Sequence, residues 1–192
     1  REIIKYKLWA KEQIERNPPK KKVIKEYKNG DKLVVWDKEY LLFISYRPKQ
    51  SSSAKINSNQ ISLFISSEIP ESRQKAHIST LLSRVIAKKR LPELKNKIKE
   101  LNEQHFKQNV NKIFFKNNKS KWGSCSVGGN INISTRLLFA PNDILEYICV
   151  HELAHLIEFN HSDKFWLLVE KAMPNYKEKE AWLKQNGESI AF

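Results

Sequence analysis

Three of the chain's five histidines, His151, His155 and His161, fall within residues 150–166, VHELAHLIEFNHSDKFW. His151, Glu152 and His155 form the pattern H-E-x-x-H. On an α-helix, residues four apart share a face and lie about 6 Å apart along the axis. Two imidazoles can then converge on one Zn²⁺ at about 2.0–2.1 Å each. Glu152, beside the first ligand, is placed to take a proton from a metal-activated water and pass it to a leaving group. The chemistry this implies is hydrolysis. With five His and 17 Glu in 192 residues, H-E-x-x-H arises by chance in roughly one such chain in a hundred.

A catalytic zinc keeps one position open and so needs a third protein ligand. Glu158 lies seven residues past His151, about 10.5 Å along the axis, out of reach while the helix continues. The chain must therefore stop and double back, and Asn160 suits a left-handed helix end. His161 follows His155 by six residues, the interval of H-E-x-x-H-x-x-G-x-x-H, with Glu158 standing where that pattern has Gly. His161 is favoured as third ligand over Glu170 and Glu158. A structural zinc usually takes four Cys or His ligands, and the chain has only Cys125 and Cys149.

The elements that must carry these residues can be read from period and punctuation. A helix beginning between Pro141 and Tyr147 runs through the histidines, its many apolar residues marking it as buried. A second helix, capped by Ser162 or Asp163, closes at Pro174, and a third ends at Gly187. Upstream, KLVVWDKEYLLFISYRP reads as two short strands turning near Asp37–Lys38. SSSAKINSNQISLFISSEIP gives two more strands, with the turn at Asn57–Gln60. A helix opens at Glu71 or Ser72, and Pro92 starts another, with Leu94, Ile98, Leu101 and His105 as its packed stripe. His77 and His105 read as packed or half-buried residues, not ligands. KIFFKNNKSKWGSCSVGGNINISTRLLFA is strand, loop, strand, with Gly128–Gly129 as the turn. Asn130, Asn132 and Ser134 alternate with Ile131 and Ile133, the pattern of a half-buried strand. That strand is a candidate platform for an extended peptide added through main-chain hydrogen bonds, with an ordinary covered strand as the equal alternative. Cys149 and Met173 read as core; Trp122 and Cys125 read as packing against the histidine helix, and Gly123 as a turn.

The composition is globular: 40% hydrophobic and 29% charged. No apolar run reaches the length of a membrane span, and REIIKYKLWAKEQIER lacks the apolar core of a signal peptide. With two cysteines, a cytoplasmic protein is expected. With no initiator Met, the sequence admits a reading as part of a longer polypeptide. The net charge of +14 is uneven. Residues 1–120 carry 28 Lys/Arg against 12 Asp/Glu, while the remainder carries seven against nine. A basic half suits a polyanion or nucleic acid. Lysines outnumber arginines 28 to 7, and no basic run forms a nucleic-acid motif.

KWGSCS, then GNINISTRLLFAP, then VHELAHLIEFNHSDKFW, in that order, resemble the YgjP-like metallopeptidases, relatives of the SprT-like zincins. The strands and helices from residue 33 look like the amino-terminal half of that family, giving a resemblance over residues 33–185. It implies His151, His155 and His161 as metal ligands and Glu152 as catalytic base. Lys121 departs from it, standing where the family usually shows Arg before WGSC; the charge is kept and planar bidentate binding is lost.

The expected architecture is an α+β fold with a zincin-like catalytic half carrying the H-E-x-x-H helix, preceded by a half rich in β-hairpins and helix. Residues 1–30 are a polar extension broken at 17–22, 31–112 the amino-terminal half, and 113–192 the catalytic half, with 31–192 one compact unit. The expected function is a zinc metallopeptidase acting on a peptide or protein. Lys121, Asn132, Arg136 and Tyr176 are candidate substrate or oxyanion contacts. Two alternatives stand beside it. One is a metal-dependent nucleoside triphosphate pyrophosphohydrolase. The other is a nucleic-acid-associated SprT-like protease or binding module.

Overall fold

The computed structural model describes residues 25–118 and 120–190, together with Lys5 and Trp9. The proline-broken segment 17–22, and all of the polar extension before residue 25 apart from those two positions, lie outside the described residues.

Strands β1 (Lys32–Val35) and β2 (Lys38–Arg47) form one antiparallel hairpin, and β3 (Ser53–Asn57) and β4 (Gln60–Ser66) another. β2 and β4 run parallel, with Leu42 opposite Ile61, so the sheet order is β1-β2-β4-β3. The period of two decides which face is inward: Leu33, Val35, Tyr40, Leu42, Ile61, Leu63 and Ile65 are all buried. Both hairpin turns use a left-handed residue, Trp36 at φ 56° and Ser58 at φ 49°. The Trp36 indole donates to the Leu137 carbonyl at 3.1 Å, tying this sheet to the second half of the chain.

The expected break at Pro92 does not occur. Helix α1 runs unbroken from Glu71 to Leu101, with Pro92 inside it. Proline removes the bond to the carbonyl four residues earlier, here that of Lys88. Pro92 and Lys88 are both exposed, so water can satisfy that carbonyl. On the opposite face, burial of Ile86, Leu94 and Ile98 holds the helix together. Arg90, 1% exposed, adds bonds to the Val35 carbonyl at 2.7 Å, Asp37 at 3.2 Å and Glu93 at 2.5 Å. The stripe also departs from expectation. After Leu101 the chain winds as a π-turn (Asn102–Phe106), which shifts the register by one residue. Phe106 is buried and His105 exposed. Lys107 closes the turn at φ 53°.

The second sheet has three strands, β5 (Lys112–Lys116), β6 (Gly123–Cys125) and β7 (Asn130–Ser134), in the order β5-β7-β6. β7 is central, parallel to β5 and antiparallel to β6. Both of its faces are buried, not one: Asn132 is 7% exposed and Ser134 0%. Their polar atoms are satisfied inside the sheet. Asn132 donates to Ser124 and accepts from Asn118, and the Ser134 hydroxyl donates to the Asn118 carbonyl. A strand paired on both edges cannot receive an added peptide; the edge strands are β5 and β6, and of these β6 lines the cleft.

A 3₁₀ turn (Thr135–Phe139) leads into α2 (Asn142–Ala154), α3 (Asp163–Ala172) and α4 (Tyr176–Asn186). No described helix is long and apolar enough to cross a membrane. The fold is α+β with two cores. One gathers the first sheet against Ile78, Leu82 and Ile86 of α1; the other gathers Leu94 and Ile98 of α1, Ile131 and Ile133 of β7, and α2 to α4.

Candidate metal centre

The three histidines come from two elements. α2 is apolar on most of its surface and buries Ile144, Ile148, Val150 and Leu153, which fixes its rotation and presents Tyr147, His151, Glu152 and His155 toward a single cleft of about 690 Å³. The helix ends one turn earlier than the sequence reading places it. Ala154 is its last residue, and tight bonds from Leu156 to the Leu153 carbonyl and from Ile157 and Glu158 to the Ala154 carbonyl turn the chain. Asn160 is not left-handed. The reversal is carried instead by the turn at 155–158, where His155 Nδ1 meets the Glu158 carbonyl at 3.1 Å.

Ser162 then caps α3, its hydroxyl accepting from Phe165 N–H, and His161 arrives opposite His151. The two Nε2 atoms are 3.0 Å apart, and nitrogen atoms of all three rings lie within 4.8 Å of one another. Two nitrogens each about 2.0–2.1 Å from one tetrahedral ion would stand about 3.3 Å apart, near the 3.0 Å between the His151 and His161 Nε2 atoms. His155 Nδ1, engaged by a carbonyl, carries the proton and leaves Nε2 free as a donor atom. Burial lowers the affinity of His151 and His155 for protons. His151 is pushed down to about 3, first by burial and then by His155 and His161; His155 is also lowered, chiefly by burial. A neutral imidazole is the ligand form.

Beneath the trio lies Phe165, fully buried. Its ring centroid is 4.8 Å from His151, 4.5 Å from His155 and 4.8 Å from His161. Trp166 stacks beside His161 at 5.9 Å and on Tyr176 at 5.3 Å.

Glu152 is 4% exposed and its Oε2 has no hydrogen-bond partner among the described residues. Burial pushes its carboxyl up to about 8, with Lys121 pulling it back. A carboxyl held near neutrality is suited to accept and return a proton.

Among the described residues, the group that could hold a metal is His151, His155 and His161. Glu158 contributes its backbone carbonyl, and the exposed Glu170 on α3 does not join the group. Lys121 lines the cleft. Asn132 does not; its amide is used inside the sheet. Arg136 also lies elsewhere. Its guanidinium stacks on Trp122 at 3.9 Å and donates to the Ile190 and Gly187 carbonyls, which fastens the end of α4. Tyr176 is buried under Trp166 and supports the wall from behind. Cys149 is fully buried, and Met173 is core. Cys125 lines the cleft, its thiol pushed up to about 11 by burial and by Glu152, which leaves little nucleophilic thiolate.

Sequence reasoning missed Tyr147, Phe159, Phe165, Trp166 and the α4 residues Glu180, Leu183 and Lys184. Tyr147 had a signal: it precedes His151 by four residues and so shares its face. Its phenol is raised by burial, then by Glu180 and Tyr176. The α4 residues had none, because only the tertiary fold brings that helix to the cleft.

A trio of imidazoles with a buried carboxylic acid beside them is a site of the metal-dependent hydrolase class. The family comparison makes the class specific, since residues 1–186 match the YgjP-like, metallopeptidase domain. The chain belongs to the YgjP-like metallopeptidase family. The match takes in the first thirty residues, which the motifs leave out. Among solved structures, the chain is similar to the metallopeptidase zymogen of Pyrococcus abyssi abylysin, at 26% identity and a TM-score of 0.44, over 48% of this chain and 93% of that one. It is similar also to the metallopeptidase zymogen of Methanocaldococcus jannaschii jannalysin, at 22% identity and a TM-score of 0.43, over 48% and 94%. No curated protein matches the chain.

Proposed function

We propose that the chain is a zinc peptidase in which His151, His155 and His161 hold the ion and Glu152 moves the proton. The observation that carries this reading is the convergence of three imidazole nitrogens beside a buried carboxyl in one cleft. Three imidazoles suit zinc, whereas Mg²⁺ prefers carboxylate, phosphate and water oxygens. The donor set therefore favours peptide hydrolysis over a Mg²⁺-dependent attack on a phosphoanhydride.

When bound, zinc supplies a Lewis acid that polarises a carbonyl and lowers the pKa of a water. The chain's own groups do the rest. β6, an edge strand lining the cleft, offers its free main-chain groups to an extended peptide. Glu152, with Oε2 unengaged, takes a proton from the attacking water and returns it to the leaving amine. Phe165 and Trp166 keep the imidazoles oriented and exclude water from their rear. Lys121, at the mouth of the cleft, favours the ionised form of Glu152.

The test is metal analysis of wild type and His161→Ala beside hydrolysis of fluorescein-labelled casein, with Glu152→Ala as control. About one zinc per chain, loosened in His161→Ala, and turnover lost in Glu152→Ala with zinc retained are expected. Undiminished zinc in His161→Ala would move the third ligand to another residue. Absence of zinc in the wild type after reconstitution would end the reading.

A further inference from the structure

Gly123 reads from the sequence as a turn, but it is neither in a turn nor left-handed. It is the first residue of β6, and its φ is not among the chain's positive values. A strand glycine without that excuse marks a place where something approaches closely. What approaches is Glu152. A Cβ built on Gly123 would stand 2.5 Å from Glu152 Oε1 and 2.8 Å from both Cδ and Cγ. All three lie below the separation that real Cβ contacts show.

We infer that Gly123 is a positioning residue: the missing side chain is the recess that sets where the Glu152 carboxyl sits. This deepens the reading of Glu152 as the residue that moves the proton, and rests on it. The backbone of β6 cannot easily yield instead. Gly123 is paired opposite Ile133 of the buried central strand, and the Trp122 carbonyl accepts from Ser134 N–H at 2.7 Å. Glu152 is equally fixed at its root, because α2 is buried through Ile148, Cys149, Leu153 and Ala154. With strand and helix both held, the carboxyl end of Glu152 is the part free to give. A methyl group at 123 would therefore displace the carboxyl from its place beside the trio, while the imidazoles, which touch other residues, stay where they are.

At Gly123, two costs that ordinary glycine substitutions mix can be told apart. A turn glycine replaced by alanine destabilises the fold by its own backbone, whatever its neighbours. A recess glycine replaced by alanine acts only while the neighbour occupies the recess. Misplacing a catalytic group by about 1 Å can lower turnover about 100-fold.

The experiment compares wild type, Gly123→Ala, Glu152→Ala and the double variant, each loaded with zinc. The readouts are zinc content, melting temperature, and kcat and KM on an internally quenched peptide that the wild type cleaves. Gly123→Ala is expected to keep its zinc and lose kcat about 100-fold with KM within about threefold of wild type. The double variant should be no slower than Glu152→Ala alone. Retention of kcat within threefold, or an added loss in the double variant, would overturn the inference. If the wild type cleaves no peptide, the functional reading fails, and melting temperature still decides this one. A drop caused by Gly123→Ala that is relieved in the Glu152→Ala background supports the recess. An equal drop in both backgrounds, or none in either, overturns it.

Discussion

Among the described residues, Phe165 is the one side chain in ring contact with all three histidines, and its replacement separates packing from metal binding. Phe165→Ala would open a cavity and cost about 3–5 kcal/mol, enough to confuse the two effects. Phe165→Leu keeps an apolar side chain and costs about 1.5 kcal/mol for changed shape. It also removes three aromatic contacts, each worth at most about 0.5–1.5 kcal/mol. Allowing for replacement by aliphatic contacts, a total near 2–3 kcal/mol is expected. For a chain of this size, that lowers the melting temperature by roughly 4–12 °C without metal. The imidazoles would then lose the surface that orients them, and loss of such support typically weakens metal binding about 10–100-fold. Zinc stabilisation should fall by a further 1.4–2.7 kcal/mol or so. The assay is zinc affinity by competition with a chromophoric chelator, paired with melting curves with and without zinc. Zinc affinity within twofold of wild type, with equal drops in both melting curves, would show that Phe165 only fills space.

Two further outcomes follow from groups around the site. Cys125, with its thiol pushed up to about 11, carries about 100-fold less thiolate at pH 8 than an ordinary cysteine. Its alkylation by iodoacetamide in zinc-free protein should be slower than that of a free thiol by about that factor, and a rate near the free thiol's would refute the assigned environment. Lys179 donates to Asp143 at 2.7 Å, joining α4 to the first turn of α2, and that bond is the main cause holding the Asp143 carboxyl below its ordinary range. A carboxyl lowered in the folded state lends stability above the unfolded value of about 4, and this is lost as pH falls through the folded value. Urea midpoints should therefore fall more steeply below pH 4 for wild type than for Asp143→Asn; parallel curves would refute the pairing.

The sequence carries the histidine site well because its logic is local. H-E-x-x-H is a helical interval, and His161 follows within one turn of chain, so period and reach alone bring the three together. The first sheet is legible for the same reason, its alternation of Leu33, Val35, Tyr40 and Leu42 being a period-two signal. What the sequence hides is set by neighbours far along the chain. β7 has the alternation of a one-sided strand, and Asn132 and Ser134 are interior because Asn118, past the end of β5, and Ser124 of β6 bond to their side chains. Arg136 looks free to bind a substrate until α4 folds back and takes its guanidinium. Pro92 reads as a helix start because proline favours that position; the continuous burial on the opposite face overrides it.

That proline has a consequence for how the molecule comes apart. Ile78, Leu82 and Ile86 of α1 belong to the first core, Leu94, Ile98 and Leu101 to the second, and Pro92 stands between them at the one rung of the ladder that lacks its bond. The boundary between the two cores thus crosses a helix instead of a loop. Amide exchange is expected to split α1 near this rung into two protection classes, each sharing the fate of its own core, with Arg90 as the bolt that must slide before either half can loosen from the first sheet.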